Sequence, residues 1–491
     1  RFTKLDYTLL PTILTESSMG TAKASRFCGN VSSYSQDSVW SWFICLCSSI
    51  CMMLTLGFSF ALGVLFPVLM NSFNENRERT AWVSSIVVGF LCVFGPVMGA
   101  FLNKFGIRIA TILGCLLCSA ALAAGSFAKS LNLLYISFSC SFGMGISLIY
   151  VTVTIVASHY FEKRRSVALG IMTAGQGLGT MILGPTLQAL VDMFDWRNTF
   201  RVFAGVLALA SLTGFFMHKG TSSPVEKGQV PSGKFSFNLS LFKNPTFLML
   251  IIMAGVYTFS RMVPYVHLIK YCDDLGISAN KSSTLYLFIG IFATLGRFGA
   301  GFLCTFTQVK PRTLFQVVCF TLGASTMLLT VLKTYGALVA YAIVFSLSDG
   351  LMVTSYIIEF LNSVEESKKS SALGYSMLVG GAGAMASPPL SGFMADRFGN
   401  YTSAFLMGGG VGVIASLMPF LLLCLQQKSK KSCESEIMPL DIIECEDVAE
   451  EDLTVQQDET KLVNGSVNSS AVARKNYERS ASFVMAMKSP V

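Results

Sequence analysis

Ionisable side chains inside apolar stretches are the residues of this sequence that could do chemistry, because a charge inside a membrane is costly to keep. Arg297 lies in the middle of such a stretch. Its planar guanidinium stays protonated and can bind a carboxylate through two parallel hydrogen bonds. Asp349, inside another apolar stretch, is the expected counter-charge, and the pair would keep an empty site neutral. We therefore predict that Arg297 binds an anion beside Asp349; a structural arginine paired with an acid between helices is the alternative.

Two further ionisable residues, Arg261 and His267, lie on one predicted helix, on either side of Pro264. Arg261 is an extra cation that either strengthens the attraction for anions or extends its charged end toward water. Glu359 is a candidate partner for it. His267 lies late in the helix, where a substrate contact and a structural residue with satisfied hydrogen bonds are both open readings.

The composition excludes an ordinary soluble domain. Hydrophobic residues make up 52% of the chain and charged residues only 13%, and the mean hydropathy is +0.59. The net charge of +8 would suit a nucleic-acid partner, but the basic residues stand in short clusters beside apolar segments, where they orient a membrane protein. No phosphate-binding loop, catalytic triad or zinc-ligand spacing stands out. We therefore expect no enzyme, no cofactor, no metal and no nucleic-acid partner.

Apolar segments of about the length that crosses a bilayer follow a polar N-terminal stretch. They predict an all-α membrane protein whose partner is the lipid bilayer. We expect twelve transmembrane helices, near residues 41–70, 80–102, 107–127, 132–157, 165–190, 198–217, 245–270, 283–304, 313–332, 335–362, 370–395 and 401–425.

The second half of the chain repeats a pattern of the first half at a constant offset of 204 positions (374 minus 170). A constant offset without gaps indicates two duplicated halves related by an axis along the membrane normal. The matched positions are Ala168 and Ala372, Leu169 and Leu373, Gly170 and Gly374, Gly177 and Gly381, Gly179 and Gly383, Met181 and Met385, Pro185 and Pro389, Asp192 and Asp396, and Phe194 and Phe398.

The duplication and the loop charges predict the domain organisation. Lysines and arginines concentrate in the loops of one face, which places both termini in the cytoplasm. The predicted parts are an N-terminal tail at 1–38, a six-helix half at 39–217, a cytoplasmic linker at 218–243, a second six-helix half at 244–426 and a disordered tail at 427–491, whose composition is too acidic to bury a core.

Two motifs resemble signatures of the monocarboxylate transporter family, a branch of the major facilitator superfamily. The segment 160–170, followed by Ala174, Gly175 and Gly179, is similar to the family's fifth-helix signature and contains Lys163, Arg164, Arg165 and Gly170. Asp37, Trp40 and Trp42 resemble the first-helix signature, in which Ser38, Val39 and Ser41 replace glycines. Asp37 could cap the start of the first helix, and the tryptophans suit the membrane interface. The resemblance covers all twelve segments and implies a major facilitator fold of two six-helix halves.

The resemblance also implies roles for the ionisable residues. Arg297 matches by position the helix-eight arginine that contacts the substrate anion in relatives. The surroundings of Asp349 and His267 resemble the branch that carries thyroid hormones and aromatic amino acids. In that branch these positions are associated with recognising the amino-acid group and the aromatic ring. Lactate-type members carry a helix-one lysine and a helix-eight aspartate, where this chain has Val64 and Ala293.

We therefore expect a secondary transporter of the plasma membrane that moves an organic monocarboxylate by alternating access. An aromatic amino acid or another bulky carboxylate, moved by facilitated diffusion, is the favoured substrate. A proton-coupled carrier of lactate- or pyruvate-sized acids is one alternative, and a non-transporting nutrient receptor is another. The resemblance adds a single-span glycoprotein chaperone as a candidate partner.

Overall fold

The computed structural model describes residues 37–162, 164–217, 239–243, 245–306, 309–364 and 369–420, and these residues form helices joined by short turns. Nearly all of the predicted tails and of the linker lies outside them. Nine helical stretches in the described part are long and apolar enough to cross a membrane. The twelve predicted segments are all present as helices, because one of the nine stretches contains two crossings and two more polar crossings fall outside the nine.

The first six helices are interrupted by irregular turns and by two sharp reversals within otherwise continuous helical stretches. Gly106, with φ of 81°, separates α2 from α3, and Asp195, with φ of 67°, separates α5 from α6. The helices are α1 (Val39–Met52, Met53–Gly57, Phe58–Ala61, Leu62–Val64 and Phe66–Phe73), α2 and α3 (Arg77–Val93 and Gly95–Gly125), α4 (Leu131–Leu134, Tyr135–Cys140 and Ser141–Tyr160), and α5 and α6 (Arg165–Ala210 and Thr213–Phe216).

The last six helices follow a short 3-10 turn, Leu239–Lys243. They are α7 (Pro245–Asp274), α8 (Ala279–Ser283 and Leu285–Phe306), α9 (Pro311–Leu328 and Leu329–Val331), α10 (Tyr335–Ser363), α11 (Lys369–Phe398) and α12 (Thr402–Phe420).

The turn before α12 repeats the turn before α6. Gly399 has φ of 71° and stands 204 positions after Asp195, the offset of the sequence repeat. Glycine adopts this left-handed conformation without a steric cost, whereas an aspartate there is uncommon. The duplication predicted from the sequence therefore extends to the backbone of the reversal that follows each glycine-rich helix.

Two glycines of α5 match two glycines of α11 at the offset of 204 positions, and in each helix one of the two packs against a helix of its own half. A β-carbon at Gly179 would collide with Met53 and Gly57 of α1, and one at Gly383 would collide with Gly255 of α7, which belongs to the same half. Glycines at such contacts let two helix backbones approach closely.

The other member of each pair faces the opposite half. A β-carbon at Gly177 would collide with Thr294 of α8, and one at Gly381 would collide with Cys92 of α2. The interface between the halves therefore includes α5 against α8 and α2 against α11.

Candidate functional site

The buried ion pair at the centre of the described residues joins α7 to α10. Arg261 Nε lies 2.6 Å from Asp349 Oδ1, and Arg261 Nη2 donates to Oδ2 at 3.0 Å. The Asp349 side chain is wholly buried, and that of Arg261 is 10% exposed. The prediction that Asp349 pairs with Arg297 is wrong, because the rotation of α7 brings Arg261 to both carboxylate oxygens.

Tyr265 completes the surroundings of Asp349 and was missed from the sequence. Its hydroxyl donates to Asp349 Oδ2 at 3.1 Å, and its ring lies 5.7 Å from the Arg261 guanidinium. Tyr265 follows Arg261 by four positions, a spacing that puts both side chains on one face of a helix. That spacing is the sequence feature from which the position of Tyr265 beside Arg261 could have been predicted.

Arg297 lies near this pair without joining it. Its backbone packs against α10 beside Asp349, where a β-carbon at Gly350 would lie 2.9 Å from the Arg297 nitrogen. The charges of Asp349 and Arg261 therefore act on Arg297. Its Nη1 donates to the carbonyl oxygen of Thr173, in α5 of the other half, at 3.3 Å. Among the described residues no ion pair includes Arg297. The cluster of two arginines and one aspartate therefore carries one net positive charge at the interface between the halves.

A small pocket adjoins the cluster between α1, α2, α7 and α11. Phe60 and Tyr265, whose rings are 4.9 Å apart, form part of its wall, and the Arg261 guanidinium lies 5.6 Å from the Phe60 ring. Ser85 also lines the pocket, and its buried Oγ has no hydrogen-bond partner among the described residues. The pocket thus offers aromatic rings and a hydroxyl beside the charged cluster.

The structure does not bring His267 into the cluster. The ring is wholly buried; its Nε2 lies 2.8 Å from the carbonyl oxygen of Pro388, and its Nδ1 lies 3.3 Å from the Tyr401 hydroxyl. A proton on Nε2 satisfies Pro388, and Nδ1 then accepts from Tyr401. The Phe66 ring of α1 packs edge-on at 5.1 Å. These contacts favour a structural role for His267 over a contact with the substrate.

Glu359 is not the partner of Arg261. It accepts from Arg312 Nε of α9 at 2.8 Å, because Glu359 lies near the end of α10 where α9 begins.

Lys270 is a buried cation that was not singled out from the sequence. It contacts Asp273 Oδ2 at 2.5 Å and Asp274 Oδ1 at 3.1 Å. The described residues contain no cluster of three or more His, Cys, Asp or Glu side chains that could hold a metal ion.

The two signature motifs contact each other. Asp37 accepts from the backbone N–H groups of Glu162 and Arg164 at 3.4 and 3.3 Å, and its own N–H donates to the carbonyl oxygen of Tyr160. The prediction that Asp37 caps α1 is wrong, because Ser38 occupies the cap position and accepts from the N–H of Ser41.

The other signature residues lie around this contact. Lys163 is outside the described residues, and α5 begins at Arg165. Trp42 packs edge-on against Phe161 at 5.0 Å, and Trp40 packs against Phe43 at 5.3 Å. Gly175, like Gly179, touches α1, where a β-carbon would collide with Ser49, whereas Gly170 leaves room beside Phe298 of α8. The motifs thus fasten α1 to the end of α4 and to α5.

Comparison with known proteins places this geometry in a family. The profile of the Major Facilitator Superfamily matches residues 48–362. Monocarboxylate transporter 4 of Mus musculus is 29% identical over 393 residues, which cover 78% of this chain and 83% of that protein. Monocarboxylate transporter 10 of Mus musculus is 27% identical over 436 residues, covering 84% and 85%. Monocarboxylate transporter 12 of Xenopus laevis is 26% identical over 416 residues, covering 78% and 88%.

These matches agree with the two halves, the twelve helices and the signature contacts described above. Members of the matched superfamily move solutes across membranes and are not enzymes. The chain therefore belongs to the major facilitator superfamily, and its relatives within that superfamily are monocarboxylate transporters.

Proposed function

We propose that this protein carries an organic monocarboxylate across the plasma membrane by alternating access, with both termini in the cytoplasm and Arg297 as the anion-binding residue. The observation that carries the proposal is the net positive charge of the cluster Arg261, Arg297 and Asp349. A single carboxylate bound at Arg297 would neutralise it. Retaining a cation without an acidic partner inside a membrane is costly, and such residues commonly belong to substrate paths.

The position of Arg297 suits a transporter. Arg297 belongs to α8 of one half and donates to Thr173 of α5 in the other half. A substrate held by Arg297 would therefore contact the seam along which the halves move. Its planar fork allows two parallel hydrogen bonds to a carboxylate, which a lysine cannot reproduce.

The lining of the pocket beside the cluster supports a substrate with an apolar, aromatic body. In this conformation the pocket has a volume of only about 10 Å³, room for about one water molecule, and it would have to widen to admit the substrate. Phe60 and Tyr265 supply aromatic walls, and the Ser85 hydroxyl can bond to a polar substituent. One relative is named monocarboxylate transporter 10 and another monocarboxylate transporter 4. We therefore favour a carboxylate larger than lactate, moved by facilitated diffusion. Aromatic amino acids and aromatic carboxylates without an amino group are both candidates on the basis of these walls alone. We also propose a single-span glycoprotein chaperone as a partner, as the family resemblance implies.

Radiolabelled uptake in oocytes tests the proposal. We expect saturable uptake of at least one member of a panel running from lactate and pyruvate to aromatic carboxylates. The absence of saturable uptake for the whole panel, with the protein at the cell surface, would contradict transport and favour the nutrient-receptor alternative. Uptake of lactate that rises steeply as the external pH falls would instead favour the proton-coupled alternative.

A further inference from the structure

Asp349 is the acid nearest to the proposed binding site, and Arg261 and Tyr265 lie against its carboxylate. Arg261 contacts Oδ1 and Oδ2, and the Tyr265 hydroxyl adds a second bond to Oδ2. The whole side chain is shielded from solvent. Glu359, the other acid within α10, is bound to Arg312.

These contacts matter for the kind of carboxylate that can bind. An amino acid brings an ammonium group as well as a carboxylate, and a buried ammonium group needs an anion or several acceptors. Arg297 can receive the carboxylate, but the neighbouring acid is wholly buried behind Arg261 and Tyr265, so that an ammonium group would have to displace Arg261 to reach it. A carboxylate without an amino group needs no such partner.

The charge balance leads to the same conclusion. The cluster of Arg261, Arg297 and Asp349 becomes neutral when it binds a monoanion. It keeps its positive charge when it binds a zwitterion, whose own net charge is zero. Because uncompensated charge is costly in a buried site, the cluster favours the monoanion.

We propose that Arg261, by occupying Asp349, selects carboxylates that lack a protonated amino group and excludes amino acids. This inference rests on the proposed function of Arg297 as the anion-binding residue. Arg261 acts here through Asp349, as a positioning residue, and does not itself contact the substrate.

A matched pair of probes tests the selection in the unaltered protein. 3-Phenylpropionate and phenylalanine differ only in the ammonium group, and propionate and alanine form the corresponding small pair. We expect the wild-type protein to prefer the amine-free member of whichever pair it transports by about tenfold or more, since an unpaired charged group loses at least that much. Equal uptake, or preference for the amino acid, would overturn the inference while leaving carboxylate transport intact.

Variants of the ion pair show whether Arg261 sets this preference. R261Q frees Asp349 and makes the cluster of Asp349 and Arg297 neutral, and so we expect the ratio of uptakes to move toward the amino acid by about tenfold. R261K keeps the positive charge beside Asp349 and is the matched control, which should keep the wild-type preference.

The double variant R261Q/D349N separates selection from stability. It removes both charges of the pair and leaves Arg297 as the only charge of the cluster, so that the preference for the amine-free carboxylate should return. If R261Q does not reach the cell surface, the same ratio is measured for R261Q purified and reconstituted in proteoliposomes. A ratio unchanged in R261Q, or a double variant that prefers the amino acid, would show that Arg261 does not determine the selection.

Discussion

Arg77 at the start of α2 and Asp274 at the end of α7 form an ion pair between the two halves, with 2.8 Å between Nη2 and Oδ2. Asp396 of α11 adds to this closure by accepting from the backbone N–H groups of Arg77 and Glu78 at 3.3 and 3.0 Å. The Arg77 guanidinium also lies over the Tyr401 ring at 4.9 Å. The two halves are therefore joined at the end of the helix bundle opposite the contact between Asp37 and Arg164.

We expect Arg77→Ala to open this face. The partly exposed ion pair and the cation–π contact together contribute about 1–2 kcal/mol, a factor of about 5–30 in the population of the closed state. A cysteine introduced at Ser59, which lines the pocket, should then react several times faster with a membrane-impermeant thiol reagent added outside. Arg79→Ala is the matched control, because Arg79 pairs with Glu75 of its own half. Equal rates in both variants would show that Arg77 does not hold the face closed.

Replacing Arg297 by lysine should reduce transport strongly while the amount of protein at the surface stays normal. Lysine keeps the charge but loses the two parallel hydrogen bonds, and we expect the substrate affinity to fall by about tenfold or more. Concentration-dependent uptake, with surface biotinylation alongside, measures this. Arg201→Lys, at an exposed arginine of α6, provides the control. A near-normal affinity in Arg297→Lys would remove Arg297 from the anion site.

Neutralising the members of the buried pair should have unequal effects on the amount of protein at the surface. Asp349→Asn leaves the guanidinium groups of Arg261 and Arg297 without an acid, and breaking a buried pair in this way costs about 3–5 kcal/mol. Arg261→Gln is expected to be milder, because Asp349 still lies within reach of the charge of Arg297. The double variant should recover much of the amount lost in Asp349→Asn. A double variant retained more severely than both single variants would show that the two residues are not partners.

Uptake should depend only weakly on external pH. Asp349 is wholly buried in its ion pair with Arg261, and both ring nitrogens of His267 have polar partners. Val64 and Ala293 stand where the family resemblance implies a lysine and an aspartate in lactate-type carriers. We expect less than about a twofold change in uptake between about pH 6 and about pH 8, the range over which an unperturbed histidine titrates. Intracellular pH recorded during substrate addition is the direct measurement. An acidification that vanishes in Asp349→Asn would establish proton coupling instead.

Hydropathy and the offset of 204 positions predicted the helices and the two halves, because membrane thickness fixes helix length and a duplicated sequence folds twice. The partners of the charged side chains were not predictable in the same way. The length of the apolar segment around Asp349 predicts how deep in the membrane this residue lies. Whether Arg261 or Arg297 reaches it depends on how far each helix is rotated about its axis. That rotation is set by packing along the whole helix. Asp37 failed for a related reason: its positive φ of 59° turns it toward the α4 end instead of along α1.

Gly177 and Gly179 lie two residues apart on α5, yet one contacts α8 of the opposite half and the other contacts α1 of its own half. Their repeats, Gly381 and Gly383, divide in the same way. Inherited substitutions at these four positions should therefore cause two distinct defects. Alanine at Gly179 or Gly383 would leave too little protein in the membrane, and a chemical chaperone or a lower growth temperature should restore it. Alanine at Gly177 or Gly381 would leave the normal amount of a slow carrier, and no treatment that assists folding would correct it.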